Sequence, residues 1–186
     1  IGFTPASDHS YGQLKDDDNS HTYGHVTVNI SGENTVIGNG TTEAGTGHPV
    51  SGNVFGGSMG RITLLDGTLN PLWPKQAVVK LTEVNISGGT IWNSVYGGSE
   101  YGVVRNRATV NMTAGTVKGN VFGGGYGSDD QRKTTITAGG YESIPTVYYT
   151  FTPMQWSGCV SGNTYVNVSG GTVEKSVYGG GDMASV

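Results

Sequence analysis

Residues Val166–Gly181 read VNVSGGTVEKSVYGGG, and the same phrase occurs twice more almost intact. Val84–Ser99 reads VNISGGTIWNSVYGGS, and Val110–Gly125 reads VNMTAGTVKGNVFGGG. A fourth copy is split, with VNISG at Val28–Gly32 and NVFGGS at Asn53–Ser58. The shared pattern is V-N-Φ-[ST]-[GA]-G-T-Φ-x-x-[SN]-V-[FY]-G-G-[GS], where Φ is apolar. Ile62–Thr68 (ITLLDGT) and Thr134–Gly140 (TTITAGG) are weaker relatives. Self-similarity of this kind marks an architecture in which each repeat is one unit stacked on the next.

The pattern within a copy is that of a strand. Val84 and Ile86 alternate with Asn85 and Ser87, and Val166 and Val168 with Asn167 and Ser169, a period of two that half-buries a strand. A Gly-Gly corner, a short Thr-Φ strand, a second corner and a final S-V-Y or N-V-F strand follow. The fold expected is all-β, a right-handed parallel β-helix (β-solenoid). Each triangular coil would hold about 26 residues in three short strands, with coils stacked about 4.8 Å apart. Val54, Val95, Val121 and Val177 would then point inward. Phe55, Tyr96, Phe122 and Tyr178 would form an aromatic column, and Asn29, Asn85, Asn111 and Asn167 an asparagine column. The competing arrangement is a β-sandwich of antiparallel hairpins.

Copies two and three begin 26 residues apart (84 to 110), whereas the other neighbours begin 56 apart (28 to 84 and 110 to 166). The long intervals, 60–83 and 126–165, predict an irregular or extra coil, with proline- and aromatic-rich loops projecting from the stack. The chain is thus expected to be one module over 1–186, with an irregular segment at 1–24 and inserts at about 33–52, 69–80 and 141–160. Lacking an initiating Met and a signal segment, it reads as a mature form or an excised piece of a longer repeat array.

Composition narrows the function. The 33 glycines recur beside Val, Ile, Phe and Tyr, which points to many tight corners rather than disorder. Net charge is −4 and charged residues make up 13%, so the basic stripe of a nucleic-acid binder is not expected. No apolar run reaches the length of a membrane helix, so no membrane insertion is expected in this segment. The single cysteine, Cys159, excludes an internal disulfide framework and leaves the compartment open.

The SVYGGG and VNVSGGTV segments resemble the repeats of large secreted or outer-surface proteins of gut Bacteroidetes. More distantly they are similar to pectin-lyase-like β-helices and to autotransporter adhesin passenger domains. The resemblance covers the four copies, about a third of the chain, and not the inserts. It implies an extracellular or cell-surface, adhesin-like protein, and it carries over no catalytic residue.

Candidate sites are therefore weighed one by one. The best are the insert aromatics Trp73, Tyr148, Tyr149 and Trp156, which could stack on a glycan or anchor a protein of a host or neighbouring cell; equally they could cover the core. The expected partners are such a glycan or protein and the neighbouring coils of the full-length chain.

The alternative is a carbohydrate-active enzyme, a polysaccharide lyase or glycoside hydrolase. A lyase would need clustered carboxylates for Ca²⁺ and a basic residue. Asp129 and Asp130 are adjacent, which on a strand sends them to opposite faces; Arg105 and Arg107 share a face by period two. A glycosidase would need two carboxylates across a cleft. Glu100, Asp129 and Asp182 each follow a Gly-Gly corner and could form a column. Gly124–Asp129 (GGYGSD) begins like a calcium-binding nonapeptide but stands alone.

Asp16–Asp18 reads as a solvated acidic loop. His9, His21, His25 and His48 lack a metal-ligand spacing on a helix. Cys159 has no nucleophile signature. The N-x-[ST] sequons coincide with the repeat's own Asn column. The chain is read as non-enzymatic, with no required cofactor and Ca²⁺ as the one ion to consider.

Overall fold

The computed structural model describes residues 24–44, 51–61, 77–127 and 157–186. These hold ten strands and no helix. They are β1 (His25–Ile30), β2 (Val36–Ile37), β3 (Val54–Phe55), β4 (Val78–Ile91), β5 (Val95–Tyr96), β6 (Val103–Val117), β7 (Val121–Phe122), β8 (Asn163–Val168), β9 (Thr172–Val173) and β10 (Val177–Tyr178). Every pairing among them is parallel. One sheet runs β1-β4-β6-β8, with β2 on β4 and β9 on β6; the other runs β10-β7-β5-β3. An antiparallel sandwich is not what these residues form.

The register follows the repeat. Val28 pairs with Val84, Val84 with Val110 and Val110 with Val166. Likewise Val54 pairs with Val95, Val95 with Val121 and Val121 with Val177. Each copy is thus a rung across both sheets. β1 lies directly against β4, and β6 directly against β8. The 56-residue intervals therefore place no extra rung between copies, contrary to the sequence expectation. Loop closure is the reason: its entropy grows only with the logarithm of length, so a long connection can still deliver the chain to the adjacent rung.

Some rung structure lies inside stretches read from sequence as inserts. Val36–Ile37 pairs with Thr90–Ile91, β4 begins at Val78, and Val160 bridges Val104. The first and second short strands of copies two and three are also continuous. β4 and β6 run through the glycine region with register shifts on either side of Ser87, so the chain bends there without leaving the sheet.

Glycine serves two distinct purposes. Gly89, Gly115 and Gly171 hold φ of +82°, +92° and +89°, which side chains rarely adopt. The first glycine of the first three V-[FY]-G-G corners is needed for closeness instead. A Cβ on Gly56, Gly97 or Gly123 would lie 2.2, 2.5 or 2.4 Å from a carbonyl oxygen of the following rung.

The core lies between the sheets. Ile30, Val54, Val84, Ile86, Ile91, Val95, Val110, Met112, Val117 and Val121 form one buried cluster. Burying a valine or isoleucine contributes about 1.5–3 kcal/mol, so stacking is the main source of stability. Val54, Val95 and Val121 are inward as expected. Val177, their equivalent in the last rung, is 48% exposed because no described rung covers it.

Candidate functional site

Equivalent positions of successive copies build three columns. In the first, Asn85 Nδ2 donates to Asn29 Oδ1 at 3.0 Å, Asn111 to Asn85 at 2.9 Å and Asn167 to Asn111 at 2.8 Å. Asn85 and Asn111 each accept from one rung and donate to another, so the middle of the ladder satisfies itself without charge. The sequon asparagines are thereby explained by stacking.

The second column is the [SN] position, whose role sequence reading missed. Asn53 Oδ1 accepts from the Ser94 N–H, Ser94 Oγ from the Asn120 N–H, and Asn120 Oδ1 from the Ser176 N–H. Only a short side chain with an acceptor oxygen can reach the next rung's backbone, which accounts for the restriction to Ser and Asn.

The third column is aromatic. Phe55, Tyr96, Phe122 and Tyr178 stack with centroids 4.9 Å apart at each step and interplanar angles of 14°, 3° and 12°. Tyr96 and Phe122 are buried, so the middle of this column is packing; Tyr178, at the end, is 46% exposed. Tyr126 packs edge-on against Tyr96, and Tyr101 against Tyr126. Tyr96 donates to Asp182 Oδ2 at 3.4 Å. Burial, and then the Asp182 charge, push the Tyr96 phenol well above its ordinary value.

The carboxylates differ from expectation. Tyr126 N–H donates to the Ser99 carbonyl, and Met183 N–H to the Tyr126 carbonyl, so Glu100, Tyr126 and Asp182 occupy successive rungs. Tyr126 stands between Glu100 and Asp182. At about 4.8 Å per rung those two backbone positions are about 10 Å apart. Burial raises the Glu100 carboxyl above the usual range. Glu83 sits 3.8 Å from His25 and accepts from Asn111 at 3.4 Å, and Glu174 is paired with Lys118.

Arg105 and Arg107 do not share a face by simple alternation. Between Val104 and Arg107, β6 carries one residue more than β4 between Val79 and Leu81; this bulge leaves Arg105, Asn106 and Arg107 all exposed. Cys159 is a buried free thiol, raised by its burial and so kept from the thiolate form. No group of three or more His, Cys, Asp or Glu among the described residues could hold a metal ion. Trp73, Tyr148, Tyr149, Trp156, Asp129, Asp130, His9, His21, His48 and Asp16–Asp18 lie outside the described residues.

An aromatic that sequence reading passed over is Trp92, at the variable position after Ile91. Its ring packs on Gly40, where a Cβ would meet it at 2.8 Å, and the Lys118 ammonium lies 5.5 Å from the ring centroid. Trp92, Lys118 and Glu174 follow one another down a partly exposed corner, since Lys118 N–H donates to the Ile91 carbonyl and Glu174 N–H to the Val117 carbonyl. The sequence signal was there: these x positions align, and only one carries a tryptophan. Comparison of the chain with protein-family models, curated proteins and solved structures finds no match.

Proposed function

We propose that the four rungs belong to a right-handed parallel β-solenoid, and that it acts as a non-catalytic structural or adhesive module on a bacterial surface, contacting glycan or protein. The observation that carries this reading is the parallel pairing of equivalent residues in all four copies, Val28 with Val84, Val84 with Val110 and Val110 with Val166, held even across 56-residue intervals. Right-handedness rests on the near-universal hand of parallel β crossovers. Such a stack is a stiff rod whose variable corners and inserts are free to present side chains. The described acidic side chains of Glu83, Glu174 and Asp182 are engaged within the stack, which fits a scaffold. The location rests on the repeat's resemblance to surface proteins.

Contact with a glycan would fall to Trp92 with Lys118 at the described corner, and to Trp73, Tyr148, Tyr149 and Trp156 in the inserts. An aromatic face with a cation or amide beside it suits a sugar ring. A labelled chain on a glycan array tests this. Retention of one glycan class, weakened by Trp92→Ala or Trp156→Ala, supports the reading; no retention of any glycan or surface glycoprotein removes the adhesive half of it. The second reading, a carbohydrate-active enzyme, draws on Glu100, whose raised carboxyl suits a general acid, with Asp182 two rungs away. Release of soluble oligosaccharide from polysaccharide, abolished by Glu100→Gln, would establish that reading instead.

A further inference from the structure

Asn39 is the only asparagine of the sequence that is followed by glycine. The pair lies at the base of the first insert, and its surroundings set it apart from the asparagines of the rungs. Asn39 is exposed. Its Oδ1 accepts from the Thr41 N–H at 3.0 Å and from Ser51 Oγ at 3.3 Å. The bond to Thr41 closes an Asx turn, which folds the side-chain amide forward over the Asn39–Gly40 peptide. The Gly40 N–H has no acceptor among the described residues. Gly40 also holds φ of +70° and carries no Cβ to shield its nitrogen.

The rung asparagines share none of this. Asn29, Asn85, Asn111 and Asn167 lie within strands, each followed by Ile, Met or Val. Asn53 and Asn120 precede valines whose N–H groups are engaged, Val54 with Ser94 O at 3.0 Å and Val121 with Ser176 O at 2.9 Å. An amide nitrogen held in a ladder, beside a large side chain, cannot turn onto the side chain before it.

We infer that Asn39–Gly40 is a self-modification site, where the chain cyclises, releases ammonia and reopens as aspartate or isoaspartate. Hydroxide takes the proton of the Gly40 N–H, and the nitrogen bonds to Asn39 Cγ. The carbonyl electron pair moves onto Oδ1, where the Thr41 N–H and the Ser51 hydroxyl stabilise the growing charge. The pair then returns, the Cγ–Nδ2 bond breaks, and the nitrogen takes a proton from water and leaves as ammonia. What remains is a five-membered succinimide. Water adds to one of its two carbonyls and opens the ring. Opening at Cγ leaves aspartate; opening at the backbone carbonyl leaves isoaspartate, with the main chain now running through the former side chain.

The consequence falls on the corner beside it. A Cβ on Gly40 would meet the Trp92 ring at 2.8 Å, and one on Gly38 would meet Gly52 Cα at 2.7 Å, so the stem of the insert is pinched shut against that ring. Isoaspartate puts one more carbon into the main chain directly before Gly40, which lifts the stem off Trp92. Glycan contact is proposed at the same corner, and the modification does not depend on it.

The test uses the full chain, kept folded in mildly alkaline heavy-oxygen water, with every asparagine followed by peptide mapping and mass spectrometry. Asn39 should exchange its amide nitrogen for heavy oxygen first, as a mixture of aspartate and isoaspartate, while Asn85 and Asn111 stay intact. Ser51→Ala removes one donor at an exposed position. It should keep the melting temperature and slow the conversion about fivefold, the kinetic worth of one net hydrogen bond. An Asn39 that stays an amide in the folded chain while it converts in urea overturns the inference. So does aspartate without isoaspartate, which means hydrolysis without a ring, or a Ser51→Ala chain that converts as fast as the wild type.

Discussion

Gly97→Ala and Gly179→Ala are the same chemical change at equivalent positions of two rungs, and the structure assigns them opposite outcomes. At Gly97 the new methyl would lie 2.5 Å from Gly123 O and 3.0 Å from a Val110 methyl. Ordinary van der Waals contact begins near 3.4 Å, so the rungs must separate by most of an ångström. That stretches two bonds directly, Gly97 N–H to Phe122 O at 2.8 Å and Gly98 N–H to Gly124 O at 2.9 Å. Each contributes about 1 kcal/mol net, and overpacking a filled core costs about 1–3 kcal/mol, so a loss of about 2–4 kcal/mol is expected. For a chain of this length about 1 kcal/mol moves Tm by about 2–4 °C, giving a fall of about 5–15 °C. At Gly179 the methyl meets nothing, and the stiffer unfolded chain stabilises by up to about 1 kcal/mol. Far-ultraviolet circular dichroism melts at dilute protein read both. A Gly97→Ala melt within a degree of wild type, or a Gly179→Ala melt that falls as far as Gly97→Ala, would refute the claim that rung contact is what demands glycine.

Other outcomes follow from single contacts. Asn111→Asp removes the donor to Asn85 and Glu83 and sets a carboxylate beside Glu83; a loss of about 2–3 kcal/mol in urea unfolding is expected, with Asn167→Asp, which removes one donor and sets no carboxylate beside Glu83, losing less. The native state holds the Tyr96 proton more tightly than the unfolded state. Stability should therefore be intact below pH 10 and fall as pH rises beyond the ordinary phenol range, and Tyr96→Phe should flatten that fall in melts taken from pH 8 upward. Glu100 follows the same sign in a lower window: its raised carboxyl makes stability fall as pH rises from the ordinary carboxylate range through the folded-state value, and Glu100→Gln should remove that slope. Cys159 should react slowly with a thiol reagent in the native chain and at once in urea, since burial both shields it and keeps it protonated.

Position by position, the repeat alone determined which side chains would sit over one another. The Asn column, the aromatic column and the inward valines all follow from aligned identities and a period of two, because a strand's side-chain direction is a local property. Stacking partners in a parallel repeat are simply equivalent residues. What needed the tertiary structure was adjacency. Chain length between copies is a poor guide to it, since closing a longer loop adds little free energy, and so copies 56 residues apart proved to be immediate neighbours. That Tyr126 stands between Glu100 and Asp182 also needed the structure, because position in the column is set by hydrogen bonds to the neighbouring rung. Burial of Tyr96 and Phe122 and the bulge that breaks the Arg105–Arg107 alternation also arise only between strands. Each depends on what lies above and below a residue, which no single copy of the repeat contains.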